Sequence, residues 1–162
     1  MSLPIGQYAL VPKPWAEVVE VPGLEWTGGA PMPVLIATEY RKLFACYLPT
    51  DDDRVVVTEV VRCTSIRFGL PNDEVIHGHP CGSGLMHYGV HVIHNSLWLA
   101  ELRAIESVHP MAAKPAFPES QHYFLTFHDS SLEAVGLGLA VVGNFDSMTD
   151  AIAEMLRLAD PH

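Results

Sequence analysis

Apolar and polar positions alternate along much of the chain and predict a protein built mainly from short β-strands. Runs rich in β-branched and aromatic residues, which favour strands, occur at 15–21, 34–38, 42–48, 54–68, 88–94 and 122–136. The run at 54–68 is long enough for one bent strand or two. Prolines recur throughout residues 1–33 and predict an extended N-terminal arm at the edge of a sheet.

Two segments change to a helical period instead. The first, 95–108, places Trp98 on an apolar face and has Asn95 or Ser96 available as N-cap. The second, 147–159, carries the clearest apolar stripe of the chain. Because strands and helices do not alternate regularly, the order predicts an α+β fold with a mainly antiparallel sheet, which could roll into a partial barrel.

Composition limits the size and the partners of this fold. The 162 residues, 49% hydrophobic and 17% charged, predict a single domain spanning 1–162 with a substantial core. So few charges leave less polar surface than usual, which favours a homo-oligomer. The formal net charge is −10 and no Lys/Arg cluster occurs, so we expect neither nucleic acid nor an anionic membrane as partner.

The N-terminal sequence and the cysteines indicate a cytoplasmic location. "MSLPIGQYALVPKPW" has no cationic start followed by a long apolar core, and no window approaches the roughly 18 apolar residues of a spanning helix. The three cysteines are Cys46, Cys63 and Cys81, an odd number without C-x-x-C spacing. They predict buried thiols in a reducing compartment rather than a disulfide framework.

The stretch "HYFLTFHDSSLEAVG" (122–136) predicts a hairpin with candidate acid–base chemistry at its tip. A two-residue loop would pair His128 with Ser131 and Thr126 with Glu133, and would collect these four side chains on one face. His128, Glu133 and also Asp129 are therefore candidate catalytic residues. The alternative is structural, because Asp and Ser at a turn commonly hydrogen-bond their own backbone.

The stretch "VIHGHPCGSG" (75–84) contains a candidate metal site. In an extended segment His77 and His79 would point the same way, and imidazole pairs of this kind bind zinc, iron or nickel. Cys81 could supply a third ligand, although the glutamate of a cupin-like site is missing. The alternative is that these histidines are buried hydrogen-bonded residues or exposed polar ones.

Two further stretches carry candidate ligand-binding residues. In "PNDE", the side chains of Asn72, Asp73 and Glu74 form either a turn or an outer layer in which a carboxylate holds an imidazole in one tautomer. In "HNSLW", the start of the first predicted helix could receive an anion, while a helix cap with a buried indole is the simpler interpretation. The residues concerned are Asn95, Ser96 and Trp98.

Three of these stretches, "FGLPNDEVIHGHP", "VIHNSLWLAELRAIESVHP" and "HYFLTFHDSSLEAVG", resemble a family of bacterial proteins without an assigned activity. The likeness covers residues 68–136 or so, less than half of the chain. The resemblance implies that the three stretches belong together and implies no activity, substrate or cofactor.

Two function classes are consistent with these patterns. The first is a small acidic soluble module that binds a ligand or a protein, because no nucleophile elbow, phosphate loop or complete metal motif occurs. The alternative is a small enzyme, dependent on a divalent metal at His77 and His79 or on acid–base chemistry at His128 and Glu133. The enzyme hypothesis predicts that "PNDE", "HGHP", "HNS" and "FHDSSLE" converge on one pocket.

Overall fold

The computed structural model describes residues 12–26, 31–48, 54–111 and 116–160. Its β-strands are β1 Trp15–Val18, β2 Val34–Ala37, β3 Leu43–Tyr47, β4 Val55–Val61, β5 Ser65–Gly69, β6 Gly89–His94, β7 Gln121–Thr126, β8 Ser131–Gly136 and β9 Gly138–Phe145. Its helices are α1 Leu97–Glu106, α2 Met148–Ala159 and a short 3₁₀ helix, Asp73–Gly78. Much of the proline-rich arm, residues 1–11 and 27–30, lies outside the described residues.

The strands form two antiparallel sheets, which confirms the predicted α+β class. The five-stranded sheet has the order β1-β6-β7-β8-β5, and the four-stranded sheet has the order β2-β3-β4-β9. Within the described part of the chain the sheets stay separate and do not close into a barrel. The predicted edge strand in 15–21 is β1, at the margin of the five-stranded sheet.

The main core lies between the two sheets. Apolar side chains from both inner faces meet there, with Tyr47 and Leu43 facing Leu125 and Phe127. The strand β3 is buried at every position because its outer face is covered as well. Burial of these side chains stabilises the fold by roughly 25 cal/mol per Å² of apolar surface removed from water.

The long β-run at 54–68 forms two strands that belong to different sheets. Arg62 adopts a φ of 50°, in the left-handed region, where the chain turns between β4 and β5. The strand β4 pairs with β3 and β9, whereas β5 pairs with β8 in the other sheet. The turn at Arg62 therefore links the two layers of the fold.

Each sheet has a covered outer face. On the four-stranded sheet, α2 packs Ala151 and Met155 against Phe44 and Val57. On the five-stranded sheet, α1 covers one part through Trp98 and its neighbours, and the chain from 73 to 86 covers another. The outer layers are therefore a helix on one side and a helix plus an irregular segment on the other.

Both predicted helices are present and both begin at a serine cap. Ser96 precedes α1 and accepts a hydrogen bond from the Leu99 amide, and Ser147 does the same for α2 through the Asp150 amide. The observed helices are slightly shorter than the predicted segments 95–108 and 147–159, because the caps lie outside the helical turns. Among the described residues, neither helix has the length and apolar character needed to cross a membrane.

Candidate functional site

A set of buried polar side chains lies on the outer face of the five-stranded sheet. Side chains alternate along β7 and β8, so Leu125 and Leu132 enter the inter-sheet core while His122 and Glu133 point outward. This outer face is not solvated, because α1 and the chain from 73 to 86 lie over it. Glu133 is 7% exposed and His122 is 1% exposed.

A chain of polar contacts connects the start of α1 to Glu133. The Leu99 amide donates to Ser96 Oγ at 3.0 Å, and Ser96 Oγ lies 2.8 Å from His122 Nδ1. His122 Nε2 in turn lies 2.9 Å from Glu133 Oε2, a close contact that is not aligned as a straight hydrogen bond. The serine hydroxyl donates to Nδ1 when the imidazole carries its proton on Nε2, so donor and acceptor roles along these contacts are compatible. Ser96, His122 and Glu133 are together called the Ser96 relay.

Glu133 has a second imidazole on its other side. His79 Nε2 lies 3.7 Å from Glu133 Oε1, and the Cys81 amide donates to His79 Nδ1 at 3.1 Å. That amide favours a ring that carries its proton on Nε2, the nitrogen that faces the carboxylate. The ring of His79 also meets the ring of Phe124 edge-on, with centroids 5.0 Å apart.

The surroundings of Glu133 and His79 shift the pKa values of both side chains. Burial by itself raises the pKa of Glu133, but the imidazoles of His122 and His79 outweigh it and lower the pKa to about 2. A hydrogen bond with the Cys81 side chain, followed by the contact with Glu133, raises the pKa of His79 to about 9. The Cys81 amide acts against this shift, because Nδ1 must accept its hydrogen. The carboxylate therefore stays ionised at neutral pH.

A second polar cluster lies at the hairpin tip. Tyr88 Oη donates to Asp73 Oδ2 at 2.7 Å, and His128 Nδ1 lies 2.9 Å from the same oxygen. The Tyr88 hydroxyl and then His128 lower the pKa of Asp73, and the Asp73 hydrogen bond raises the pKa of His128. The side chain of His128 is 45% exposed, so this cluster faces solvent, unlike the Ser96 relay.

The two clusters hold opposite ends of the same short helix. At its start, the helix provides the carboxylate of Asp73 and the hairpin provides the imidazole of His128. Just past its end, His79 provides the imidazole and the sheet provides the carboxylate of Glu133. Between them Ile76 is 1% exposed and packs on the sheet. A structural role, the anchoring of this helix, therefore accounts for the carboxylate–imidazole pairs at both ends.

Two clefts open near these clusters. A cleft of about 430 Å³ is lined by Ser96 and His122, with Asn95, Arg103 and Gln121 around them. A larger cleft of about 710 Å³ is lined by Tyr88 and Trp26, together with residues 18–24 and 86–90. The Ser96 relay and the Asp73 cluster thus border different clefts.

The hairpin register differs from the predicted one. Thr126 pairs with Ser131 and Phe124 with Glu133, so the predicted pairs His128–Ser131 and Thr126–Glu133 are wrong. The observed pairing is shifted by two residues from the predicted pairing, and an even shift leaves each strand residue on its predicted face. Thr126, Ser131 and Glu133 do share one face, while His128 lies in the loop and contacts Asp73.

His77 and His79 do not act as a pair. The segment is a 3₁₀ helix over 73–78 and not the expected extended chain, so the two rings leave it in different directions. His77 is exposed and its ring meets that of His87, with centroids 5.5 Å apart, whereas His79 faces Glu133. Within the described ranges, no three His, Cys, Asp or Glu residues are arranged to hold a metal ion.

The remaining candidates have separate environments. Asp129 is exposed, with Oδ1 3.9 Å from His128 Nε2, and Glu74 is exposed. Asn72 precedes the 3₁₀ helix without a side-chain cap bond. Asn95 adopts φ 52° and its amide donates to the Lys13 carbonyl. Trp98 is buried and meets His122 edge-on, with ring centroids 5.0 Å apart.

Two central residues, His122 and Tyr88, are not among the candidates predicted from sequence. His122 shares its strand face with Thr126, so alternation from Glu133 is a signal that could have found it. Tyr88 has no such signal, because its φ of 52° places it in an irregular bend before β6 and only the fold brings it to Asp73. The predicted convergence of the four stretches on one pocket is wrong, because their side chains form two separate clusters that border different clefts.

Comparison with protein-family models, curated proteins and solved structures found no match to this chain. The likeness of the three stretches to a bacterial family therefore stays a prediction. A function for this protein has to be inferred from the geometry of its polar clusters and clefts.

Proposed function

We propose that this protein is a small serine-dependent enzyme that transfers or hydrolyses an acyl group. The observation that carries the proposal is the Ser96 relay, in which a hydroxyl, an imidazole and a carboxylate succeed one another at 2.8 and 2.9 Å. Many serine hydrolases use a serine, an imidazole and a carboxylate in this order, on unrelated folds. Here the imidazole faces the serine through Nδ1 and the carboxylate through Nε2, the reverse of the usual orientation. The relay borders a cleft of about 430 Å³ that can admit a small substrate.

Each group has a defined role in the proposed reaction. The Oγ of Ser96 attacks the acyl carbon, and its proton moves to Nδ1 of His122. Glu133 stabilises the resulting imidazolium at Nε2, which removes the cost of a lone buried cation. The proton on Nδ1 then passes to the leaving group as the carbonyl re-forms, and a water molecule releases the acyl group from Ser96 by the same steps. His79 holds Glu133 from its other side.

Helix capping does not account for the whole relay. A cap needs only a hydroxyl that accepts one amide hydrogen, as Ser147 provides at α2 with the exposed Asp150 as its neighbour. Ser96 has the same capping bond and in addition an imidazole backed by a buried carboxylate. The difference between these two serines supports a chemical role for Ser96.

The test is covalent labelling with a fluorophosphonate probe and peptide mapping of the product. Attack of a serine Oγ on phosphorus expels fluoride and leaves a stable phosphonate ester, so labelling reports an activated hydroxyl. We expect modification of Ser96, and at least about 10³-fold slower labelling in His122→Gln. Ser147→Ala is the matched control, because it removes a helix cap and leaves the relay intact. Labelling that survives in a folded Ser96→Ala variant, or no labelling of the native chain, would refute the proposal.

The second candidate is a module that binds a small ligand without catalysis or docks a protein. The cleft of about 710 Å³, with aromatic side chains of Trp26 and Tyr88 in its wall, favours the ligand-binding form. The test uses the fluorescent probe 1-anilinonaphthalene-8-sulfonate. Binding should be lost in Val18→Trp, which fills the rim, and kept in Val142→Trp, an exposed valine of β9 outside this cleft. Equal binding by both variants would argue against this cleft.

The proposed setting is a cytoplasm, with the protein as a homo-oligomer that binds neither nucleic acid nor membrane. Cys46, Cys63 and Cys81 are free and buried, which fits a reducing compartment. Phe68 and Leu70, 52% and 83% exposed, are apolar surface that an oligomer could cover. Size-exclusion chromatography with light scattering should give a mass above 17.8 kDa. A monomer at micromolar concentration would contradict the oligomer.

A further inference from the structure

The charges around the 430 Å³ cleft differ from those of the whole chain. The protein has 19 Asp and Glu residues against 9 Lys and Arg, so carboxylates outnumber cations about two to one over the molecule. Among the described residues that line this cleft, none is a carboxylate, and one, Arg103, is a guanidinium. Two carboxylates lie behind this lining, Glu17 at 2.7 Å from His94 and Glu133 at 2.9 Å from His122, each against an imidazole. The described lining itself therefore presents one guanidinium and no carboxylate to a ligand.

Arg103 is held in place by the neighbouring loop. Its Nε donates to the Ala116 carbonyl at 3.2 Å and its Nη2 to the Phe117 carbonyl at 3.1 Å. These bonds use two of the five N–H donors of a guanidinium. The remaining donors suit a carboxylate, which a guanidinium binds in a bidentate manner. Fixed by backbone carbonyls, Arg103 loses little side-chain freedom when an anion arrives.

Arg103 and Ser96 line the same cleft. Ser96 is the cap of α1 and Arg103 lies seven residues further, a rise of roughly 10 Å along the helix. Within this cleft the Arg103 guanidinium is positioned by its bonds to the Ala116 and Phe117 carbonyls. An acyl carbon at Ser96 and a carboxylate at Arg103 can therefore belong to one ligand within this cleft.

We infer that the substrate is an ester or thioester of a short dicarboxylic acid, whose free carboxylate binds Arg103 while its acyl carbon meets Ser96. This inference rests on the proposed acyl-transfer function and names its substrate class. The carboxylate fixes the orientation of the chain, so that the leaving group points out of the cleft. Neutral esters of the same length lack this contact.

The experiment compares two substrates of equal length, the mono-p-nitrophenyl ester of adipic acid and p-nitrophenyl hexanoate, each corrected for hydrolysis without enzyme. We expect kcat/KM to favour the adipate ester by about tenfold or more, as a charged hydrogen bond provides. The preference should fall to about one in Arg103→Gln, which keeps a donor for the loop carbonyls. Arg103→Lys should be intermediate. Arg157→Gln, on α2, is the matched control and should behave as the native chain does.

Titration calorimetry with adipate itself separates the two proposals, because binding needs no chemistry. Adipate that binds the native chain and not Arg103→Gln, with no ester hydrolysis, would overturn the enzyme and leave the anion site. Hydrolysis without a preference for the adipate ester would overturn the anion site and leave the enzyme. Neither binding nor hydrolysis would overturn both. Circular dichroism of Arg103→Gln, and of Arg103→Lys if Gln misfolds, ensures that a loss is not unfolding.

Discussion

The outer faces of the two sheets show two ways of burying a helix. The four-stranded sheet offers α2 an apolar surface that includes Phe44 and Val57, and the helix packs Ala151 and Met155 against it. The five-stranded sheet offers α1 and the 3₁₀ helix a surface that contains His122 and Glu133. Both helices begin at a serine cap, yet only one cap continues into buried imidazole and carboxylate. The docking of α2 therefore needs no buried polar groups, whereas polar pairs hold both ends of the 3₁₀ helix on the other sheet.

Those polar groups have a cost that the α2 side avoids. A buried carboxylate is unfavourable unless it is paired and hydrogen-bonded, and a well-packed apolar replacement is commonly as stable or more so. Glu133 is stabilised because two imidazoles approach its two oxygens. The α1 side therefore contains buried charges that the α2 side does without.

The largest expected effect lies on the apolar side. Met155 is fully buried between α2 and the four-stranded sheet, so Met155→Ala should lower the free energy of unfolding by about 3 kcal/mol through lost burial and a cavity. Urea unfolding at several pH values measures it. The loss should not vary with pH, because no ionisable group takes part. A loss that varies with pH would mean that the two outer faces do not differ as described.

On the polar side, Glu133→Gln should cost about 2 kcal/mol near pH 6, since it keeps the shape and removes the charge. The pKa of Glu133, about 2, lies below the unfolded value, so this stabilisation is lost as the pH falls through 4.5 towards 2. The pKa of His79, about 9, lies above its unfolded value of 6.5, so the stabilisation that His79 contributes is lost as the pH rises through 9.

The difference between native chain and Glu133→Gln should therefore be largest between about pH 5 and 6.5 and shrink on both sides. Thermal unfolding of the two proteins across about pH 2–10 tests this shape. A difference that stays constant with pH would show that the contacts of Glu133 with His79 and His122 do not stabilise the fold.

The two caps provide the next test. Ser96→Ala and Ser147→Ala should each lower the free energy of unfolding by about 1 kcal/mol, the usual value of a serine N-cap. Only Ser96→Ala should also change fluorophosphonate labelling, because Ser147 accepts from an amide and donates to a carboxylate, with no imidazole in its described contacts. If Ser96→Ala loses no more than Ser147→Ala in stability and labelling is absent in the native chain, the two serines are equivalent caps.

The smallest expected effect concerns the surface of α1. The guanidinium of Arg67 lies 4.2 Å from the Trp98 ring centroid and 3.7 Å from a carboxylate oxygen of Glu101. Because Arg67 and Glu101 are at least half exposed, Arg67→Ala should cost only about 0.5 kcal/mol. Chemical unfolding in low and high salt measures it. A loss above about 2 kcal/mol would place Arg67 within the stabilising network.

Parts of the site could be predicted from sequence because they depend on local chemistry. Alternation placed Glu133, Thr126 and Ser131 on one strand face, and the polar pair Asn95 and Ser96 before a helical period located the cap of α1 to within one residue. The predicted register of the hairpin was wrong because loop length depends on which hydrogen bonds the tip can make. In the structure the His128 amide donates to the Pro31 carbonyl and its carbonyl accepts from the Asp73 amide. Neither partner is local.

The strands, the two helices and the polar character of particular faces are encoded locally, because the period of apolar residues dictates local conformation. Three other features arise only when the whole chain packs: the run 54–68 divides between two sheets, His79 meets Glu133 rather than His77, and Ser96 lies beside His122. These contacts join residues that are distant in the chain, as between Ser96 and His122 or His79 and Glu133. They form because α1 and the chain from 73 to 86 together bury the outer face of the five-stranded sheet.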